Sequence, residues 1–208
     1  MEPRLFAEML KLCLVTDRRR SLLPLPEAVA GAAAGGVTAV QLREKDLPHD
    51  ELCDLASRVR EVLAGSSVLF TINNDLDAAA SFAQGVHLGR GVASVPEARS
   101  RGIEIVGVST HSREEAAEAE QHGASYVFFG PIFPTASKPG AQPQGLKALC
   151  EVSAAVTIPL VAIGGINHEN VADALSAGAD GVAVVSSILA SKDPRAAAAL
   201  LQRAMQRS

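Results

Sequence analysis

LVAIGGINHENVADALSAGADGVAVVSS, residues 160–187, contains one whole strand–helix unit and the start of the next. Leu160-Val161-Ala162-Ile163 is a continuous apolar run, which predicts a strand covered on both faces. Gly164-Gly165 breaks the run, and Asn170–Ala177 reads as a helix. Ala177-Gly178-Ala179-Asp180-Gly181-Val182 then stops the helix and opens a strand over Val182–Val185. The same junction occurs upstream as His122-Gly123-Ala124-Ser125-Tyr126-Val127.

Outward from this stretch the alternation continues. Strands are predicted near Leu12–Thr16, Ala39–Leu42, Val68–Ile72, Val86–Leu88, Glu104–Val108 and Tyr126–Gly130. Helical patterns cover Glu51–Leu63, Leu76–Ala83, Arg113–His122 and Arg195–Met205. Gly35-Gly36, Gly85, Gly102, Gly123 and Gly178 fall between a helix and the next strand, where a left-handed residue ends a helix. Eight units share 208 residues, about 26 each, the compact end for a closed α/β barrel. An open doubly wound sheet would place a glycine-rich turn after its first strand. Here that strand runs into Thr16-Asp17-Arg18-Arg19-Arg20. The expectation is α/β, a single (β/α)8 TIM barrel, with one domain over residues 1–208.

Composition narrows the function. The chain is 48% hydrophobic but only 3% aromatic, with no Trp and one Tyr, so its core is aliphatic and it has no base-stacking platform. The net charge is −4 and no basic run exceeds Arg18-Arg19-Arg20, which argues against nucleic acid as a partner. No stretch approaches the roughly 18–20 apolar residues of a membrane span, and none reads as a signal peptide, so a cytoplasmic protein is expected. Cys13, Cys53 and Cys150 form no CxxC and are expected to be buried, reduced thiols.

Barrel chemistry sits at strand C-terminal ends. After strand two, alternation directs Gln41, Arg43 and Lys45 to one face, an amide and two cations suited to an anion; the bland alternative is a solvated turn with Glu44 pairing Lys45. Asn73-Asn74-Asp75 after strand three either binds a metal or diphosphate or caps the next helix. His87 lies within strand four and reads as a hydrogen-bonded core residue, whereas His111, just past strand five with Ser109 beside it, has the position of a general acid–base. The long connection from Pro131 to Gln144 offers Thr135, Ser137 and Lys138 to an anionic ligand. Gly164-Gly165 after strand seven and Ser186-Ser187 after strand eight match the phosphate-binding loops of such barrels.

Taken together, these motifs resemble the thiamine phosphate synthase/TenI superfamily. The resemblance runs through Leu14-Val15-Thr16-Asp17, Gln41-Leu42-Arg43-Glu44-Lys45, Ile72-Asn73, Gly85-Val86-His87-Leu88-Gly89 and Gly107-Val108-Ser109-Thr110-His111. It continues through Phe129-Gly130-Pro131-Ile132-Phe133-Pro134-Thr135, Lys138, Ala162-Ile163-Gly164-Gly165-Ile166 and Val184-Val185-Ser186. It implies an enzyme that joins hydroxymethylpyrimidine diphosphate to thiazole phosphate and releases pyrophosphate. By the same resemblance Gln41, Arg43, Lys45, Asn73, Ser109 and Lys138 hold the pyrimidine and its diphosphate, and Thr135, Ser137, Gly165, Val185 and Ser186 hold the thiazole phosphate. His111, Lys138 and Ser109 are the candidate catalytic residues. The partners are then small phosphorylated substrates, and a homo-oligomer is compatible with the sequence.

Two positions depart from the synthase pattern, which has Mg²⁺-binding aspartates where this chain has Asn74 and Val92. Asp75 by a one-residue shift, or Arg90 as a direct positive charge, is a candidate replacement. Loss of both acids is a property of the TenI branch, which includes metal-independent thiazole tautomerases that would use His111 as acid–base. A phosphate-ligand binder without catalysis is the third reading.

Overall fold

A sheet of four- to six-residue strands exposes two long edges unless it closes on itself. In the computed structural model, which describes residues 3–135, 140 and 142–206, it does close. The order is α1 (Pro3–Glu8), β1 (Leu12–Val15), a 3-10 turn (Arg18–Arg20), α2 (Leu25–Ala34), β2 (Ala39–Leu42), α3 (His49–Val62), β3 (Leu69–Asn73), α4 (Leu76–Phe82) and β4 (Gly85–Leu88). It continues with α5 (Val95–Ser100), β5 (Ile105–Thr110), α6 (Arg113–Gln121), β6 (Tyr126–Phe129), α7 (Gly145–Ser153), β7 (Leu160–Ile163), α8 (Val171–Ser176), β8 (Gly181–Val184), α9 (Ser186–Leu189) and α10 (Pro194–Met205). All strands are parallel, and β8 pairs with β1 through Val182 opposite Leu12. The chain is a (β/α)8 TIM barrel.

Side-chain alternation divides the apolar residues into two bodies. Leu12, Leu14, Val127 and Phe129 belong to the larger cluster, which lies between strands and helices. Cys13, Val15, Tyr126 and Phe128 point inward and join Ala39, Leu69, Val161 and Ala183 in the barrel interior. Phe6 and Leu10 enter this inner cluster, so the N-terminal segment covers the bottom of the barrel. The same parity sends Gln41 and Arg43 of β2 and its loop, Thr71 and Asn73 of β3, His87 of β4 and Ser109 of β5 inward. The interior is thus apolar below and polar towards the strand C-termini.

Three expectations need correction. The fifth strand runs on to Thr110, because Ser109 and Thr110 continue in register with Phe128 and Phe129. Gly85 does not end a helix: it opens β4, and a Cβ there would collide with the Ile105 carbonyl. Cys13 is buried, but Cys53 is only partly covered and Cys150 is exposed, since they lie on outer helices rather than inward-facing strand positions. All three are free thiols. Among the described residues, no helix is long and apolar enough to cross a membrane.

The chain's one tyrosine lies across Gly107 of the neighbouring strand, where an added Cβ would overlap the Tyr126 ring. Gly107→Ala is therefore expected to destabilise the fold by roughly 1–3 kcal/mol through overpacking. The shift is read from the urea midpoint, and an unchanged midpoint would contradict this packing.

Candidate active site

The loops after β1 and β2 are locked together by a buried carboxylate. Glu44 accepts from the Thr16 hydroxyl at 2.7 Å, from the Arg18 backbone N–H at 3.0 and 3.1 Å, and from the Arg18 guanidinium at 3.3 Å. Thr16 in turn accepts from the Arg43 N–H at 2.9 Å, and Arg18 and Arg19 both grip Asp46. The bland alternative, Glu44 pairing Lys45, is not what the structure shows, because Glu44 faces the β1 loop instead. Sequence reasoning missed this role, whose partners lie 26 and 28 residues upstream.

With Glu44 occupied, neither cation of the motif forms an ion pair among the described residues. No described residue hydrogen-bonds the Arg43 guanidinium or the Lys45 ammonium. Burial lowers the Arg43 pKa against the opposing pull of Asp17 and Glu44. The Arg43 charge, with some burial, lowers that of Lys45. Both shifts oppose the charged forms and would be relieved by an anion between the two groups. Beside them Gln41 donates to Asn73 Oδ1 at 3.0 Å, while its own Oε1 is buried with no hydrogen-bond partner. An orphaned buried acceptor is costly, and here it marks a place for a ligand donor.

At the next strands, His87 is fully buried between Tyr126 Oη, 3.1 Å from Nδ1, and Ser109 Oγ, 2.8 Å from Nε2. Burial, then the Arg43 charge, depresses its pKa to about 3, so it stays neutral. His111 Nδ1 lies 2.6 Å from the Gly130 carbonyl, which can only accept; the proton of the neutral ring is therefore on Nδ1. Glu115 holds the His111 N–H at 2.7 Å, and Gln144 donates to its carbonyl at 3.0 Å.

On the opposite side of the mouth, Phe133 N–H donates to the Gly164 carbonyl at 3.0 Å, joining the loops after β6 and β7. Gly165 has φ +70, and a Cβ there would stand 2.5 Å from the Pro134 carbonyl and 2.8 Å from Phe133. Ser187 spends its hydroxyl on the Ile166 carbonyl at 2.6 Å, so it is not available to phosphate as expected. Val185 is half-buried, and Ser186 is exposed at the start of α9. Thr135 is also half-buried in the loop after β6, while Ser137 and Lys138 lie outside the described residues.

The sequence pattern of the family described as thiamine monophosphate synthase matches residues 12–188. The chain belongs to this family. The thiamine-phosphate synthase of Moorella thermoacetica is 45% identical over 199 residues, spanning 94% of this chain and 95% of that one. That of Pyrococcus horikoshii is 40% identical, spanning 97% of each. The solved thiamine phosphate pyrophosphorylase from Pyrococcus furiosus superposes with a TM-score of 0.90 at 37% identity, covering 97% of this chain and 98% of that one.

The region that the resemblance expects to hold Mg²⁺ lies beside the loops after β3 and β4. A cavity of about 630 Å³ is lined by Glu44, Lys45, Asn73, Asn74, Asp75 and Val92, among others. Asn74, with φ 65, turns its Oδ1 onto the Gly89 N–H at 2.6 Å. Asp75 caps α4 through the Ala78 N–H at 2.9 Å and meets His49 Nδ1 at 2.7 Å, so both its oxygens are engaged. Val92 is 56% exposed and has no donor atom. Arg90 is turned towards Glu115. No group of three or more His, Cys, Asp or Glu among the described residues could hold a metal ion. Asp77, paired with Arg101, and Glu97 line the same cavity from α4 and α5. The residues at the two expected positions do not fit the Mg²⁺ site the resemblance implies: Mg²⁺ takes one or two carboxylates beside substrate phosphates, and here one position offers a committed amide oxygen and the other none.

Two predictions arise here. Asn74→Asp with Val92→Asp is expected to confer Mn²⁺ binding, measured by electron paramagnetic resonance without substrate, whereas the unsubstituted chain shows none. Equal binding by both would contradict the reading. The second concerns pH. An unfolded histidine titrates near about 6.5. Between that value and the depressed value of His87, the unfolded chain gains a proton and the fold does not, so stability falls as pH drops. The urea midpoint should decline from about pH 6.5 to 5, with a shallower slope in His87→Asn; identical slopes would exclude His87 as the source.

Proposed function

We propose that the barrel couples hydroxymethylpyrimidine diphosphate to thiazole phosphate, releasing pyrophosphate and forming thiamine phosphate. The observation that carries this reading is the set of unmet groups at one end of the mouth: two cations that form no ion pair among the described residues, beside a buried, unpartnered amide oxygen. A pyrimidine carrying an exocyclic amino group and a diphosphate satisfies all three. Near-full-length relatives named thiamine-phosphate synthase support the synthase over the tautomerase and over an idle binder.

The chemistry follows from charge. The bond between the pyrimidine methylene and the diphosphate oxygen breaks, and its electron pair leaves with pyrophosphate. Arg43 and Lys45 stabilise the charge that develops on that oxygen, in a partly desolvated site where the interaction is strong. Gln41 Oε1 accepts from the amino group and orients the ring; Asn73 completes the pyrimidine side, with Ser109 and Lys138 joining the diphosphate. The thiazole nitrogen supplies the electron pair of the new carbon–nitrogen bond. Thr135, Ser137, Gly165, Val185 and Ser186 seat its phosphate, with Gly165 allowing close backbone approach.

This bond exchange itself needs no proton shuttle. His111 then serves through its hold on the Gly130 carbonyl and Gln144, the two ends of the loop after β6. Its Nε2, unprotonated in that tautomer, is what favours the tautomerase as second reading, where it would carry the proton. Pyrophosphate release on mixing the two substrates tests the proposal. The unsubstituted chain should release it, Arg43→Ala should lower turnover by roughly 100-fold or more, and His111→Ala should lower it less. Absence of release alongside thiazole tautomer exchange that is lost in His111→Ala would overturn the synthase reading.

A further inference from the structure

Three polar side chains form a line through the upper barrel interior, Tyr126 of β6, His87 of β4 and Ser109 of β5, with Thr71 of β3 donating to the Val40 carbonyl at 3.5 Å. The Tyr126 phenol lies 3.1 Å from His87 Nδ1, and His87 Nε2 lies 2.8 Å from Ser109 Oγ. Thr71, Tyr126 and His87 are buried, with the His87 ring packed 4.4 Å from that of Phe128. Only Ser109, half-buried, reaches the mouth.

A neutral imidazole carries one N–H, so this line has two proton arrangements. In one, Ser109 gives its hydrogen to Nε2 and Nδ1–H points at the phenol oxygen. In the other, the phenol donates to Nδ1 and Nε2–H donates to Ser109, which leaves the Ser109 hydrogen for the mouth. Each order is an aligned chain of bonds that polarise one another, so what sits at the mouth decides between them. An anion accepts and cannot donate, so diphosphate selects the second order.

We infer that His87 is a positioning residue that presents the Ser109 hydroxyl as a hydrogen-bond donor to the diphosphate, with its Nε2–H on Ser109 and its Nδ1 accepting from Tyr126. The inference rests on the proposed function in taking diphosphate as the anion beside Ser109.

Nitrogen-15 NMR of the unsubstituted chain with pyrophosphate bound, near neutral pH, should find His87 protonated on Nε2 alone. Pyrophosphate binding, followed by calorimetry, should weaken roughly tenfold in Ser109→Ala, in His87→Asn and in the near-isosteric Tyr126→Phe, the loss of one hydrogen bond to a charged group. Thiazole phosphate binding should not change. A merely structural role is separated by a double-mutant cycle. On a Ser109→Ala background, His87→Asn or Tyr126→Phe should cost no further affinity; if His87→Asn does not fold, Tyr126→Phe completes the cycle. A proton on Nδ1, or equal losses with and without Ser109, would overturn the inference. The coupling assay reports separately on the parent reading: turnover with additive losses removes only His87, whereas no turnover with a Ser109-dependent loss removes only the coupling.

Discussion

A closed eight-stranded barrel has no room for bulk water inside, so each polar group that points inward must find a partner within the protein or in a ligand. This constraint organises the upper half of the molecule. Tyr126, His87 and Ser109 satisfy one another in a line, Thr71 bonds the Val40 carbonyl, and Gln41 bonds Asn73. The lower half escapes the constraint by being apolar, closed from below by Phe6 and Leu10. What the protein leaves unsatisfied is concentrated at one place, the Gln41 Oε1 atom and the neighbouring Arg43 and Lys45.

The cations form no ion pair among the described residues because the nearest acids are engaged elsewhere. Glu44 spends its oxygens on Thr16 and Arg18, which fixes the loop that carries Arg43 and Lys45, and it acts on Arg43 only through space. Asp75 caps a helix and meets His49, and Asn74 ties the loop after β3 to Gly89. Each of these bonds holds a loop at the rim, and each removes an oxygen from any metal site. The same connections that make the mouth rigid leave it net receptive to an anion.

Much of this was legible in the sequence. Apolar runs located all eight strands, since a strand covered on both faces leaves a dense local signal. Period-two alternation placed Gln41 and Arg43 inward without any knowledge of their neighbours. The part that was not legible depends on distant partners. Glu44 looks like one more loop carboxylate until Thr16 and Arg18 are brought beside it. His87 reads correctly as a bonded core residue, but its link to Ser109 appears only when β4 and β5 lie in register. Ser187 seemed a phosphate donor because its chemistry allows it; Ile166, on the preceding loop, takes its hydrogen. Cys150 shows the reverse case, an apolar residue in a helical pattern whose face local sequence did not determine.

The account turns on whether the unmet groups at the mouth are where the pyrimidine diphosphate binds. A crystal structure of the chain with that substrate, in the absence of thiazole phosphate, measures this directly. The predicted result has the pyrimidine amino group within hydrogen-bond distance of Gln41 Oε1 and the diphosphate between Arg43 and Lys45. A substrate bound elsewhere on the barrel, with Gln41 Oε1 still unpartnered, would contradict it.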